Sequence, residues 1–243
     1  MMIRPGAEMH FQTLNEAIRS TPDTDIMIEN CLGQRYIGAG LSGKTIVING
    51  TPGNALGAYL DGCTIHVHGN SQDATGDTMN EGTIYVHGNA GDATGYAMRG
   101  GKIFIEGNSG YRTGIHMKAF QEKVPVLVVG GITGSFLGEY QAGGYIIVLD
   151  LNNQSIEKNC NFVGTGMHGG KIFLRTEKLP PNLPKQILAN PATKEDLKEI
   201  EPFIHEFCEA FGREEQEILD SDFYVLTPNS NNPYKQLYTR NQC

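Results

Sequence analysis

Cysteine is scarce in this chain, and its spacing suggests no metal or redox chemistry. The five cysteines lie at positions 31, 63, 160, 208 and 243, and no two of them form a Cys-x-x-Cys pair. An odd number of widely spaced cysteines disfavours a metal site, iron–sulfur ligation and a disulfide framework. We therefore expect reduced thiols, as in a cytoplasmic protein.

Long apolar runs and basic runs are also missing. The longest apolar run, residues 124–129, is far shorter than the ~20 residues that a membrane-spanning helix needs. The first residues, MMIRPG, lack the apolar stretch of a signal peptide. The formal net charge is −8 and no cluster of Lys or Arg stands out. We expect a cytoplasmic protein that binds neither nucleic acid nor membrane.

Glycine is abundant, and it recurs at a fixed interval. Hexapeptides that begin with glycine (GAGLSG, GAYLDG, GDTMNE and GYAMRG) start at residues 38, 57, 76 and 95, a spacing of 19 residues. A fifth copy begins at 114, and two more begin at 138 and 164 after insertions. A short β-branched run and another glycine follow each of the first four copies. A period of this kind indicates a repeat architecture.

The period also indicates which repeat. Nineteen residues are too few for a helix pair, and no repeat has apolar residues at helical spacing, so each unit consists of short strands and turns. Alternate strand positions are apolar, which predicts ladders of inward side chains on stacked coils. The first ladder is Ile46, Ile65, Ile84 and Ile103; the second is Ile48, Val67, Val86 and Ile105; the third is Leu41, Leu60, Met79, Met98, Met117 and, after an interruption, Met167.

These ladders predict a mainly β fold, a single-stranded parallel β-helix of about seven coils. The left-handed hexapeptide solenoid would need an aliphatic residue at every sixth position, which is absent. The long-coil β-helices that cleave polysaccharides would need a stacked cluster of carboxylates, which is also absent. We therefore expect the right-handed form.

The sequence divides into an N-terminal cap (residues 1–30), the β-helix (31–176) and a segment of linker, helices and extended tail (177–243). In the first part, Thr13 and Glu16 form the pattern of a capping box, which predicts a short helix to about Arg19. Residues 26–28 are predicted to form a strand that pairs with the first coil. In the β-helix, the insertions at 116–123 and 150–161 predict loops of the kind that often bind partners.

The third part begins with a proline-rich linker at residues 180–184. Thr193 then caps an amphipathic helix over 194–211, which Gly212 ends and which Pro202 is expected to split or kink. A short helix over about 214–220 leads into the segment FYVL at 223–226 and the proline-containing tail. The apolar stripe of the long helix packs on the last coil as a cap or, alternatively, docks on another subunit.

One row of outward residues invites a metal interpretation. His68, His87 and Glu106 occupy equivalent positions on successive coils, with Asn49 before them and His66 alongside. Imidazole and carboxylate are common metal ligands. Side chains on a solenoid face run parallel and do not converge, however, so a surface ladder or an interface is favoured over a metal site.

Two further ladders consist of turn residues. Asn70, Asn89 and Asn108 recur after the glycine that ends each strand, and Asp73 stacks under Asp92. Such side chains commonly satisfy turn backbone groups. No converging base or nucleophile, no Walker loop and no nucleophile elbow accompanies them. We therefore assign no catalytic, cofactor-binding or metal-binding residue.

The repeat resembles a known family. The pattern G-x-x-M/L-x-G followed by G-K/T-I and then G-N, over about residues 31–174, is similar to the GXGXG repeat domain. That domain forms the C-terminal right-handed β-helix of the glutamate synthase large subunit and also occurs in one of the subunits of formylmethanofuran dehydrogenase. Residues 35–43 (RYIGAGLSG) look like the glutamate synthase version, and residues 233–238 (PYKQLY) resemble the separately encoded archaeal-type form.

The resemblance implies a non-catalytic structural subunit of a glutamate synthase complex, which makes glutamate from glutamine and 2-oxoglutarate. Its partners would be a glutaminase subunit and a flavin-binding synthase subunit, and FMN and iron–sulfur clusters would lie on those partners. Association of the chain with copies of itself stays open. The alternatives are the GXGXG-bearing subunit of formylmethanofuran dehydrogenase and a free-standing β-helix binding protein.

Overall fold

A computed structural model describes residues 1–229 of the chain, and strands dominate it. The parallel β-helix of about seven coils that the repeat predicts is confirmed. The strands are β1 (Met2–Ile3), β2 (Asp25–Leu32), β3 (Thr45–Thr51), β4 (Asp61–His68), β5 (Glu81–Val86), β6 (Lys102–Ile105), β7 (Val126–Val129), β8 (Ala142–Val148), β9 (Gly169–Arg175), β10 (Ile187–Pro191) and β11 (Phe223–Pro228). The helices are α1 (Phe11–Ser20), α2 (Ile156–Asn159), α3 (Lys194–Phe211) and α4 (Glu215–Leu219).

The coils stack in the register that the repeat dictates. Strands β1 to β9 pair in parallel in sequence order, and the equivalent isoleucines 46, 65, 84 and 103 face one another across neighbouring strands. Both predicted strand ladders are fully buried, and so is the third ladder from Leu60 to Met117. Leu41, at its start, is only partly buried. Burial of these stacked apolar side chains stabilises the solenoid, because no single coil could cover its own inner face.

A buried polar side chain explains the interruption of the third ladder. Gln141 stands between Met117 and Met167, and it is fully buried. Its Nε2 donates to the carbonyl oxygens of Gly143 (3.3 Å) and Gly144 (3.0 Å). The amide thus satisfies backbone acceptors inside the coil, which a methionine could not do.

The first glycine of each hexapeptide is required by both backbone and packing. Gly76 has φ +72°, and a Cβ built on it would lie 2.3 Å from Cδ1 of Ile103 on the next coil. The residues two positions before and after it, Ala74 and Thr78, also have positive φ. Every second residue at this corner is therefore left-handed, and the middle one, Gly76, faces the inward ladder.

This arrangement predicts that Gly76→Ala destabilises the protein more than Gly40→Ala does. Both glycines have positive φ, so either substitution carries a left-handed penalty of about 1–2 kcal/mol. A Cβ at Gly40 meets nothing within 4 Å, whereas one at Gly76 overpacks the core at a further cost of ~1–3 kcal/mol. Urea unfolding of the two variants measures the difference, and equal losses would contradict the packing argument.

The N-terminal helix does not begin at the residue that was predicted. Helix α1 begins at Phe11, and its N-cap is His10, whose Nδ1 accepts a hydrogen bond from the backbone N–H of Gln12 (3.4 Å). The predicted capping box of Thr13 and Glu16 is therefore wrong, because both residues lie inside the helix. The strand predicted at 26–28 is confirmed within β2, which pairs with β3 on one side and with β1 on the other.

The long C-terminal helix agrees with its predicted limits. Thr193 and Asp196 form a capping box, and Gly212 ends α3 with a left-handed backbone (φ 63°). The predicted split at Pro202 is wrong, since α3 is continuous through it. Ile200 and Ile204 lie on either side of this proline and are both buried in the same apolar cluster, so both halves of α3 pack on one surface.

The predicted position of α3, as a cap on the last coil, is also wrong. The helix does not cap the last coil; it lies across the outer face of the sheet. Phe207 of α3 is buried in one apolar cluster with outward residues of several strands, among them Phe104, Val128, Ile147 and Phe173. The last coil is instead covered by β11, which pairs antiparallel with β9 and with β10, a strand that was not predicted from the sequence.

The insertions form loops, as predicted. The first contains an isolated bridge between Phe120 and Lys123, and the second contains α2, whose Ile156 is buried. Within residues 1–229, no helix is long and apolar enough to cross a bilayer. The tail motif at residues 233–238 lies outside the described residues.

Candidate interaction surface

The histidine row contacts the chain's own C-terminal segment. The rings of His68 and His87 lie 4.7 Å apart, and the edge of His87 meets Phe211 at the end of α3 at 4.9 Å. Glu106 accepts a hydrogen bond from Nη2 of Arg213 at 2.9 Å. The chain's own C-terminal segment therefore covers part of this row, a contact that the sequence did not predict.

Two histidines of this region, His66 and His87, have pKa values below the usual range. Burial lowers the pKa of His87, and the neighbouring His68 lowers it further, whereas Glu106 opposes the change. Burial likewise lowers the pKa of His66, which stacks on Tyr85 at a ring distance of 4.7 Å. The lowered pKa values suit the packing role of His66 and His87, because a neutral ring loses less on burial than an imidazolium ion does.

Metal binding at this row has a direct test. Among residues 1–229, no three His, Cys, Asp or Glu side chains are grouped closely enough to hold a metal ion. Replacing both His68 and His87 with glutamine should leave the melting temperature within a few degrees, and a chelator should change neither protein. A metal that binds only the folded state would instead stabilise the natural protein by mass action. Loss of thermal stability on chelation, confined to the natural protein, would contradict this expectation.

The asparagine and aspartate ladders serve the backbone, as predicted. Oδ1 of Asn70 accepts from the backbone N–H of Asn89 at 2.8 Å, and Asn89 does the same for the residue stacked on it. Oδ1 of Asp73 accepts from the N–H of Asp92 at 2.9 Å, and Asp92 accepts from Tyr111 at 2.8 Å. Each side chain ties one coil to the next, so these carboxylates are engaged in turn structure.

Polar contacts fix α3 to strands along the solenoid. Glu206 accepts from the hydroxyl of Tyr85 (2.9 Å) and forms an ion pair with Lys102. Burial and the hydrogen bond to Glu206 raise the pKa of Tyr85. Nearer the start of α3, Glu199 pairs with Lys171 of β9 at 2.7 Å. The helix is thereby held against β5 and β6 at one end and β9 at the other.

Aromatic side chains, most of them exposed, gather at the glycine corners of the later coils. The rings of Tyr111, Phe136 and Phe162 follow one another at 5.4 and 5.0 Å. Tyr96, His116 and Tyr140 form a parallel row at 5.9 and 5.1 Å. We call these six residues the aromatic face. They were not predicted from the sequence, although most stand within two positions of the hexapeptide glycine and could have been found there.

A cleft adjoins the aromatic face. It has a volume of about 380 Å³ and is lined by Ala97, Arg99, His116, Lys118 and Phe120. The last two belong to the first insertion, and Phe120 is 53% exposed. Cationic groups and an exposed ring thus meet at one opening, a combination suited to an anionic partner that also has apolar groups.

A larger cleft, of about 590 Å³, lies near the second insertion. It is polar and its charges are mixed, since Arg175 and Lys158 share it with Asp150, Glu157 and Asp222. The guanidinium of Arg175 donates to the carbonyl oxygens of Leu149 and Asp150. Five carboxylates and three cations line this cleft in all, so it is less suited to an anionic partner than the cleft at Arg99 and Lys118.

Comparison with known proteins decides the family. The profile of the family described as "GXGXG motif" matches residues 7–229, nearly the whole chain. The chain belongs to the GXGXG motif family. In this GXGXG protein, residues 36, 38 and 40 all have a left-handed backbone. Left-handed residues thus recur at every second position, which is the spacing of the glycines in the GXGXG motif.

Two relatives of the GXGXG chain are informative. It is 45% identical, over 96% of its own length and 94% of the relative's, to a protein of Methanocaldococcus jannaschii named "Uncharacterized protein MJ1350". It also resembles a chain in the crystal structure of the formyltransferase/hydrolase complex FhcABCD from Methylorubrum extorquens in complex with methylofuran. That likeness has a TM-score of 0.60 over 84% of this chain and 73% of the other, at 22% identity, and it shows a shared fold.

Proposed function

We propose that this chain is a non-catalytic structural subunit of a cytoplasmic glutamate synthase complex. In this role it holds a glutaminase subunit and a flavin-dependent synthase subunit in register. The chemistry, FMN and iron–sulfur clusters belong to those partners. The β-helix contributes a rigid surface on which two other subunits can dock.

The main support for the proposal is that the side chains that could have carried out chemistry instead make contacts within the chain's own structure. The aspartates of the turn ladder accept backbone hydrogen bonds, and the histidine row contacts α3 and Arg213. The choice of complex rests on two resemblances. The chain belongs to the GXGXG motif family, and residues 35–43 are similar to the glutamate synthase version of that motif.

A second candidate is the GXGXG-bearing subunit of formylmethanofuran dehydrogenase. The fold likeness to a chain of the FhcABCD formyltransferase/hydrolase complex favours it. Both candidates give the chain the same kind of role, that of a β-helix in a multi-subunit enzyme. They differ in the partner subunits, so identification of those subunits separates them.

The test is purification of the chain from its native host under gentle conditions, with identification of the chains that co-purify. We expect a glutaminase and a flavin-binding synthase, and glutamine-dependent glutamate formation that requires this chain. The chain alone should be folded, colourless and inactive. Co-purification of formylmethanofuran dehydrogenase subunits would favour the second candidate. A stoichiometric chromophore on the isolated chain would overturn both.

A further inference from the structure

We infer that the cleft at Arg99 and Lys118, together with the adjoining aromatic face, is the docking site for an extended segment of a partner subunit that carries a carboxylate beside aromatic or aliphatic side chains. This inference deepens the proposed function, since it rests on the existence of a partner subunit. It identifies the surface of the β-helix that binds the partner subunit, and it states which kinds of side chain the bound segment should carry.

The two cations occupy stacked positions on adjacent coils. Arg99 and Lys118 each follow a methionine of the third inward ladder, and the N–H of Lys118 donates to the carbonyl of Met98 (2.9 Å). They therefore occupy equivalent positions on adjacent coils, ~4.8 Å apart along the stack. Both are exposed, and their neighbours in the row, Asn80 and Ala142, are neutral. Like charges stacked in this way are unfavourable unless an anion lies between them.

No carboxylate among residues 1–229 forms an ion pair with Arg99 or Lys118, and the remaining fourteen residues contain no Asp or Glu side chain. Nearby cations of the solenoid behave differently. Arg112 pairs with Glu139 at 2.8 Å, and Lys123 pairs with Glu81 at 2.8 Å. In a chain with net charge −8, two adjacent cations without an acidic partner indicate a carboxylate that comes from outside.

The aromatic residues indicate a polypeptide and not a small anion. A free anion would contact the two cations but leave the rings of Phe120, Tyr96 and Tyr140 in water. The row from Tyr96 to Tyr140 spans three coils, or roughly 10 Å at the usual strand spacing. About three residues of extended chain cover that distance. Exposed aromatic residues beside arginine are also the side chains that interfaces favour.

The proposal is tested by charge reversal in the complex. The variant is Arg99→Glu with Lys118→Glu, and the matched control is Lys194→Glu with Lys198→Glu, which makes the same charge change at exposed positions of α3. Binding of each purified chain to the partner subunit that co-purifies with the natural protein is measured by calorimetry. We expect the cleft variant to bind at least about tenfold more weakly and the control to bind within about twofold of the natural chain.

A photocrosslinker identifies the docked segment. With p-benzoylphenylalanine in place of Phe120, the crosslinked peptide should come from the partner subunit and contain Asp or Glu next to an aromatic or aliphatic residue. Equal binding of the cleft variant and the natural chain, or a crosslink only to a second copy of this chain, would overturn the inference while leaving the proposed function in place. If no partner chain co-purifies, the proposed function and this inference both fail.

Discussion

Met98→Asp should prevent the chain from folding or lower its free energy of unfolding by several kcal/mol. Met98 is fully buried in the middle of the third inward ladder. An aspartate there would place a charge in the solenoid interior without a partner, and desolvation of such a group is among the most costly changes a core can undergo. Circular dichroism and urea unfolding of the purified variant measure the effect.

The control lies one residue further on. Arg99 is exposed, so Arg99→Ala should leave stability nearly unchanged. The two variants together test the division between inside and outside on which the whole interpretation of the repeat depends. If both variants melt at the same temperature, that division is wrong.

Phe207→Ala should cost about 3–5 kcal/mol, as expected when a fully buried phenylalanine is truncated. Phe207 is fully buried between α3 and the outer face of the sheet. Its ring lies against Gly130, where an added Cβ would be 2.7 Å from Cζ of Phe207. The loss measures how strongly α3 is held on the solenoid, and urea unfolding of the variant determines it.

The matched control is Phe120→Ala, which deletes the same ring from an exposed position in the first insertion. It should change the free energy of unfolding by less than about 0.5 kcal/mol, as surface substitutions usually do. Similar losses at the two sites would mean that α3 is not packed on the sheet in solution.

The inner side of the solenoid could be predicted because the repeat is regular. A strand that stacks on copies of itself has one register, so the positions of Ile65 and Ile84 follow from the 19-residue spacing. The placement of α3 could not be predicted in the same way. An apolar stripe shows that a helix is buried, but it does not show which surface covers it.

The sequence did contain a signal for the placement of α3. The second, outward position of the strand varies in the early coils, where it is Val47, His66 and Tyr85, and is large and apolar in three successive later coils, at Phe104, Val128 and Ile147. A strand that is apolar on both faces is buried on both. The interruption at Gln141 and the N-cap at His10 had no such signal, because both depend on hydrogen bonds to particular backbone groups.

The aromatic face could not be predicted from the sequence, for a different reason. Its rings come from separate coils whose lengths differ through the insertions, so the contact of His116 with Tyr140 is not visible in the periodic pattern. The unpaired state of Arg99 and Lys118 likewise depends on where every carboxylate lies. Neither feature can be inferred from spacing alone.

The placement of α3 also determines how the molecule should come apart. In a simple solenoid each coil touches only its neighbours, so opening can begin at either end and spread step by step. Here α3 contacts β5 and β6 through Glu206 and β9 through Glu199, and so joins coils that are distant in the stack. The later coils should open as one cooperative unit. Amide hydrogens of β2 and β3, outside this clamp, should exchange first, and the early coils would then act as the pliable end of an otherwise rigid rod.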